Sequence, residues 1–193
     1  MPAPAGITIH NWKPDLPAAD ADIEMLADVL HAIVHSGAGV SFVVPFSMDE
    51  SRAFWRDAVL PGVRAGKRRV LVARVGGAVP AERDDATRIV GTVQLDLAMM
   101  PNQQHRAEVC KMLVHPDWQR RGIARALMVA LEAVAREEKR TLLTLDTWTG
   151  RGAERLYRSL DYTVVGVIPR FARGSTTMKL EGTTIMYKEL PPQ

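Results

Sequence analysis

Hydrophobic positions change period several times along the chain, and each change predicts an element. Ile7 to Trp12 is a short apolar run behind a Pro/Ala-rich tail at residues 1–6, and it predicts a first strand. From Asp20 to Val34 the period lengthens, so that Ile23, Leu26, Ala27, Leu30 and Ile33 or Val34 share one helical face. Gly37 and Gly39 end that helix. After Pro45, the run Ser47 to Glu50 has capping-box spacing and opens a second helix through about Leu60. Val70–Val75 and Ile89–Leu97 read as strands. Between them Gly76-Gly77 supplies a turn and Glu82–Thr87 an exposed polar loop, which suits an antiparallel meander.

The densest stretch is Val109 to Glu138. A strand, Val109–Val114, leads through His115, Pro116 and Asp117 to Gln119-Arg120-Arg121-Gly122-Ile123-Ala124 and then an amphipathic helix. Ile123, Leu127, Ala130, Leu131 and Val134 mark its buried face. Leu142–Thr147 follows as a buried strand, Thr149–Gly152 as a turn, and Ala153–Leu160 as a short helix. Thr163–Ile168 and Thr184–Tyr187 close the sheet. No boundary, repeat or low-complexity tract divides the chain. The pattern predicts one α/β domain, residues 1–193, with a mixed, mostly antiparallel sheet.

Composition narrows the function classes. The 193 residues carry a net charge of +3, with hydrophobic residues at 47% and charged residues at 24%, as in a globular protein. A pI of about 9.2 suits an anionic ligand but gives no basis for nucleic-acid binding. The single cysteine, Cys110, excludes an internal disulfide framework and fits a reducing compartment. There is neither an apolar run of transmembrane length nor a signal-peptide pattern, so a cytoplasmic protein without membrane partners is expected. His31 and His35 have metal-ligand spacing, but no third ligand lies near them in sequence, and no metal is expected.

Residues 119–124 carry the first candidate chemistry. A small-residue turn entering a helix leaves backbone N–H groups unpaired with the positive end of the helix dipole behind them, which makes a phosphate site. Gly122 and Ala124 permit close approach, and Arg120, Arg121 and Arg125 add charge. Strand, then Gln/Arg-x-x-Gly-x-Gly/Ala, then helix resembles the acetyl-coenzyme A signature of the GCN5-related N-acetyltransferases. The order of elements is similar over nearly the whole chain, most clearly from Ile89 to Leu190. Ala153 and Tyr157 on the short helix also resemble that family's pattern. Two departures stand out: Arg151 lies nearest the place of an expected Asn, and Asp161-Tyr162 replaces a Gly-Phe pair.

The resemblance implies a single-domain fold with a six- to seven-stranded sheet and about four helices. It implies acetyl-CoA as donor, held by Met112, Leu113, Val114, Gln119, Arg120, Arg121, Gly122, Ile123, Ala124, Arg125 and Arg151. It also implies a monomer or homodimer, and an acceptor wall made by the first two helices. Phe42, Phe46, Phe54 and Trp55 either line that wall or pack in the core, and Met99 and Met100 are equally open. A narrower likeness runs through His105–Val109, Leu145-Asp146-Thr147 and the closing Thr183–Leu190, which look like the tabtoxin-resistance type. That type implies a small-molecule amine as acceptor and a role in toxin or antibiotic resistance.

Amine acylation needs a base, an oxyanion donor and an acid for the departing thiolate. Glu108 and Asp146 are the candidate bases, either taking the proton while the other holds the ammonium. A backbone N–H near Met112 to Val114 is a candidate oxyanion donor. Tyr157 is the candidate acid, its reference pKa of about 10 suiting thiolate reprotonation. Cys110 reads as a buried strand residue rather than a nucleophile. A catalytically silent acyl-CoA sensor is the alternative function.

Overall fold

Side-chain alternation on one strand decides the layering. In β2 (Arg68–Val75), Leu71 and Ala73 join a core on one sheet face, while Val70 and Val72 join a second core on the other. The computed structural model describes residues 3–14, 18–76 and 88–191. Around β2 the sheet has seven strands in the order β1-β2-β3-β4-β5-β7-β6. These are β1 (Ile7–Asn11), β3 (Arg88–Leu97), β4 (Arg106–Val114), β5 (Leu142–Trp148), β6 (Thr163–Arg173) and β7 (Leu180–Glu189). Every adjacent pair is antiparallel except β4 with β5. The polar segment Glu82–Thr87 lies outside the described residues, as does Gly77.

Helix α1 (Ala18–His35) covers one face, and its predicted apolar positions are all buried. Ser47 caps the next helix as its spacing predicts: its hydroxyl accepts from the Glu50 N–H, and the Glu50 carboxylate accepts from the Ser47 N–H. The helix does not stop near Leu60. It runs as α2 (Met48–Ala53), a π-helical segment Phe54–Val59, and α3 (Leu60–Arg64). Pro61 has no N–H to continue the α ladder, and the Leu60 N–H donates to the Trp55 carbonyl across a wider turn. Trp55 and Phe46 are buried in this core, whereas Phe42 and Phe54 are half-buried at its edge.

Helix α4 (Ile123–Glu137) covers the opposite face. Ile123, Leu127 and Leu131 are buried as expected. The fully buried stripe continues through Met128 and Ala135, and Ala130 and Val134 are only partly buried. The strands β6 and β7 extend well beyond their predicted ends. In β6 the apolar Val165, Val167, Ile168 and Phe171 are exposed on the sheet edge, so hydrophobicity there does not mark burial.

One irregularity positions everything that follows. β4 and β5 pair over only three residues, Arg106 to Glu108 against Leu142 to Thr144. Beyond Glu108 the two strands part, and α4 links them on one side of the sheet. On the other flank of β4, the ladder with β3 slips between Thr92 and Gln94. The extra residue forms a bulge in which Lys111 adopts φ 49°.

Candidate active site

The parting strands open a cleft of about 1020 Å³, in the upper range of small-ligand sites. Its two ends differ. One is built on the turn into α4, where Gly122 is the N-cap with φ 81°, a left-handed conformation that favours glycine. A Cβ there would meet only Pro4 Cγ at 3.5 Å, so backbone conformation rather than crowding selects glycine. The first helical bond runs from the Ala126 N–H to the Gly122 carbonyl at 3.1 Å. The N–H groups of Ile123, Ala124 and Arg125 therefore precede the ladder and stay available for an anion.

The turn is braced by its own side chains. Gln119 Nε2 donates to the Val114 carbonyl at 3.1 Å, tying the turn to the end of β4. Arg121 donates to the Asp117 carbonyl and lies 4.5 Å over the Trp118 ring, outside the cleft lining. Arg125 reaches across to Ser159 Oγ at 2.6 Å, at the end of α5 (Gly152–Arg158). Arg120 and Arg125 line the cleft, joined by Arg151 and Arg155 from the α5 side. Arg155 was not anticipated; it lies on α5 itself, one turn beyond Arg151. Arg151 stacks over Trp148 at 4.6 Å.

Arg151 is the N-cap of α5 but supplies no side-chain cap bond. Glu154 takes over: its carboxylate accepts from the Gly150 N–H at 2.7 Å and pairs with Arg158 at 2.8 Å. Those contacts, the Gly150 N–H first, hold the Glu154 carboxyl below its ordinary range.

The middle of the cleft holds the reactive candidates. Asp146 on β5 lines it, exposed, and accepts from Thr183 Oγ1 at 2.8 Å. Tyr157 lines it from α5 with its ring buried against Tyr162 at 5.7 Å. Burial, then the Asp146 carboxylate and Cys110, pushes the Tyr157 hydroxyl well above the ordinary tyrosine value. Met112 and Val114 also line the cleft. The Leu113 side chain turns to the other sheet face and is buried in the α1 core, because the bulge reverses the alternation. Glu108 sits on the still-paired part of β4, opposite Thr144 and Asp96. It is exposed and does not line the cleft. The structure therefore brings Asp146 and Tyr157 together and leaves Glu108 apart. Cys110 packs 3.7 Å from Asp96, and burial followed by that carboxylate pushes its thiol up to about 12, which keeps it protonated at neutral pH.

The other end is enclosed by two loops far apart in sequence. Ser175, in the β6–β7 loop, is fully buried; its hydroxyl donates to the Ala38 carbonyl, and its carbonyl accepts from the Val44 N–H at 2.9 Å. Trp148 fills the space between the loops. A Cβ on Gly39 would lie 2.6 Å from its ring, and one on Gly174 3.4 Å. Lys111 faces this end from the bulge. His31 and His35, by contrast, stack at 4.1 Å on α1, with His35 Nδ1 on the His31 carbonyl. Among the described residues no three His, Cys, Asp or Glu side chains gather as a metal site, and no helix is long and apolar enough to cross a membrane.

A central sheet parted beside a glycine turn that opens a helix, with a buried tyrosine at the parting, is the arrangement on which the comparisons with known proteins bear. Residues 41–162 match the acetyltransferase (GNAT) family. The fold is shared with yncA of Salmonella typhimurium, assigned as an acetyltransferase and solved with its cofactor acetyl-CoA. Identity is 19%, over 97% of this chain and 96% of that one, with a TM-score of 0.72. It is shared also with the ribosomal-protein-alanine N-acetyltransferase of Brucella melitensis, at 22% identity over 95% and 99% of the chains and a TM-score of 0.70. An N-acetyltransferase from Staphylococcus aureus Mu50 aligns at 14% identity over 97% and 100%, with a TM-score of 0.73. The chain belongs to the acetyltransferase (GNAT) family, and its activity is N-acetyl transfer from acetyl-CoA.

Proposed function

We propose that the acceptor is the amino group of a small molecule, that Asp146 is the base and Tyr157 the acid, and that the reaction serves to inactivate an amine-bearing toxin or antibiotic. The observation that carries the small-acceptor reading is the narrowed far end of the cleft. Ser175 ties the β6–β7 loop across to Ala38 and Val44 beside Trp148, which narrows that end of the cleft and suits a compact molecule. The toxin role rests on the likeness of Leu145-Asp146-Thr147 and the closing strand to the tabtoxin-resistance type.

The bound ammonium first gives one proton to solvent; the neutral nitrogen then attacks the thioester carbon, forming C–N and breaking C–S, while its surplus proton passes to Asp146. The departing thiolate takes a proton from Tyr157. Burial is the main cause of the raised Tyr157 value, and the Asp146 charge adds to it. Protonation of Asp146 removes that second contribution as the thiolate leaves, which makes Tyr157 the better acid when an acid is needed. The proton on Asp146 then restores the tyrosine. The phosphate turn anchors the donor outside this exchange.

Thiol release from acetyl-CoA, measured against a panel of amines, amino acids, amine-bearing antibiotics and short peptides, tests the reading. Turnover of small amines is expected. Turnover confined to peptide termini overturns the small-acceptor reading, and tight acetyl-CoA binding without thiol release identifies the silent sensor instead.

A further inference from the structure

Lys111 is unlike the other cations of the cleft. Four arginines of the lining belong to the starts of α4 and α5, and a fifth, Arg173, donates to the Met178 carbonyl within the β6–β7 loop, whereas Lys111 stands on the bulge of β4. Its Nζ donates to Ser41 Oγ at 3.0 Å and lies 5.8 and 5.9 Å from the ring centres of Phe42 and Phe54. Among the described residues it forms no ion pair. An ammonium has three donor hydrogens, and the serine takes one.

Lys111 and Ser41 are also among the seven described non-glycine residues with positive φ. Lys111 has φ 49° and Ser41 φ 75°, and neither is glycine. Such conformations cost on the order of 1–3 kcal/mol each and persist where surrounding structure fixes them, commonly at ligand sites. Here the bulge fixes one, and the loop tied down by Ser175 carries the other. The product is a lysine head held over two aromatic rings, facing a cleft also lined by the Asp146 carboxylate, by the Thr183 hydroxyl bonded to it, and by Glu181.

We infer that the acceptor carries a carboxylate beside its amine, and that Lys111 Nζ with Ser41 Oγ receives this carboxylate while the amine faces Asp146: the acceptor is of the amino-acid class. The inference rests on the N-acetyltransferase reading of the cleft. A plain amine would leave the lysine charge unmatched at the acceptor site and would be repelled by it. A zwitterion matches both ends, its ammonium drawn to Asp146 and its carboxylate to Lys111.

Matched sets of substrates test it: L-amino acids, their carboxamides and their decarboxylated amines, assayed by thiol release from acetyl-CoA in wild type, Lys111→Met and Lys111→Arg. In wild type, kcat/KM for the preferred amino acid should exceed that of its amide and its amine by about 10–100-fold, the range of one charge-assisted hydrogen bond. Lys111→Met should lose that preference chiefly through a raised KM, and Lys111→Arg should keep part of it. Ser41→Ala, which leaves the strand intact, should give a smaller loss in the same direction and stands in should Lys111→Met fail to fold. Equal rates for acid and amide in wild type, or a preference that survives Lys111→Met, overturns the inference while the transferase reading stands. Acetyl-CoA binding by calorimetry with no thiol released from any member of the sets overturns the reading itself.

Discussion

The two ends of the cleft are built in opposite ways. The phosphate end is local: Val114, Gln119, Gly122 and Ala124 lie within one strand–turn–helix unit, and Gln119 braces it internally. The acceptor end is assembled from afar. Ser175 bonds to Ala38 across 137 residues of chain, and Lys111 to Ser41 across 70. A local unit can be kept through changes elsewhere, so it suits a donor that stays the same. A wall made of separate loops can be reshaped one contact at a time, which suits a variable acceptor.

This contrast predicts separable defects. The largest is expected from Ala124→Glu, which puts a carboxylate among the free N–H groups at the start of α4, in the place of the donor's phosphate. Glutamate is well tolerated in a first helical turn, so the fold should survive while acetyl-CoA affinity falls by at least about 100-fold in calorimetry. Unchanged affinity in a folded variant removes the turn from the donor site.

Next in size, Asp146→Asn should lower kcat by about 10²–10⁴-fold with acetyl-CoA affinity nearly intact, whereas Glu108→Gln, outside the lining, should change kcat by less than about threefold. The reverse ranking would return the base role to Glu108. Tyr157→Phe keeps the ring packing and should slow turnover by a smaller factor of about 10–100, recovering in part with acyl donors whose thiols leave more readily.

Gly39→Ala tests the acceptor wall. Its Cβ would lie 2.6 Å from the Trp148 ring, so the indole or the loop must shift. KM for the amine should rise by about tenfold, with a smaller loss of acetyl-CoA affinity relayed through the Arg151 guanidinium stacked on the same ring. Equal losses at both substrates would mean that the two ends are not independent.

The smallest effect concerns alkaline stability. Burial pushes the folded Cys110 thiol up to about 12 from its ordinary 9.0, and likewise raises Tyr157 and Tyr162 above 10.0. A raised folded value means that the unfolded chain loses its proton first. Stability is therefore fully present below pH 9, declines as pH rises toward 12, and falls more steeply once the tyrosines of the unfolded chain ionise. Chemical denaturation at pH 8, 10 and 11 should show the decline, and Cys110→Ala should flatten its first part. A flat wild-type profile would contradict the burial of these three groups.

The sequence by itself determined the elements and the donor turn. Short apolar runs place β2 and β3, helical spacing places α1 and α4, the Ser47–Glu50 box starts α2, and Gly122 followed by Ala124 marks the anion-ready helix start. These depend on neighbours within a few residues, where propensity, capping and hydrophobic period act. Tertiary structure decided which of two carboxylates meets Tyr157, because that depends on where β4 and β5 stop pairing. It also turned Leu113 away and Lys111 toward the acceptor through a one-residue bulge that no local pattern announces. The exposed apolar face of β6 and the seat of Trp148 between Gly39 and Gly174 were decided there too, since both are settled by what packs against a side chain rather than by the residue's own chemistry.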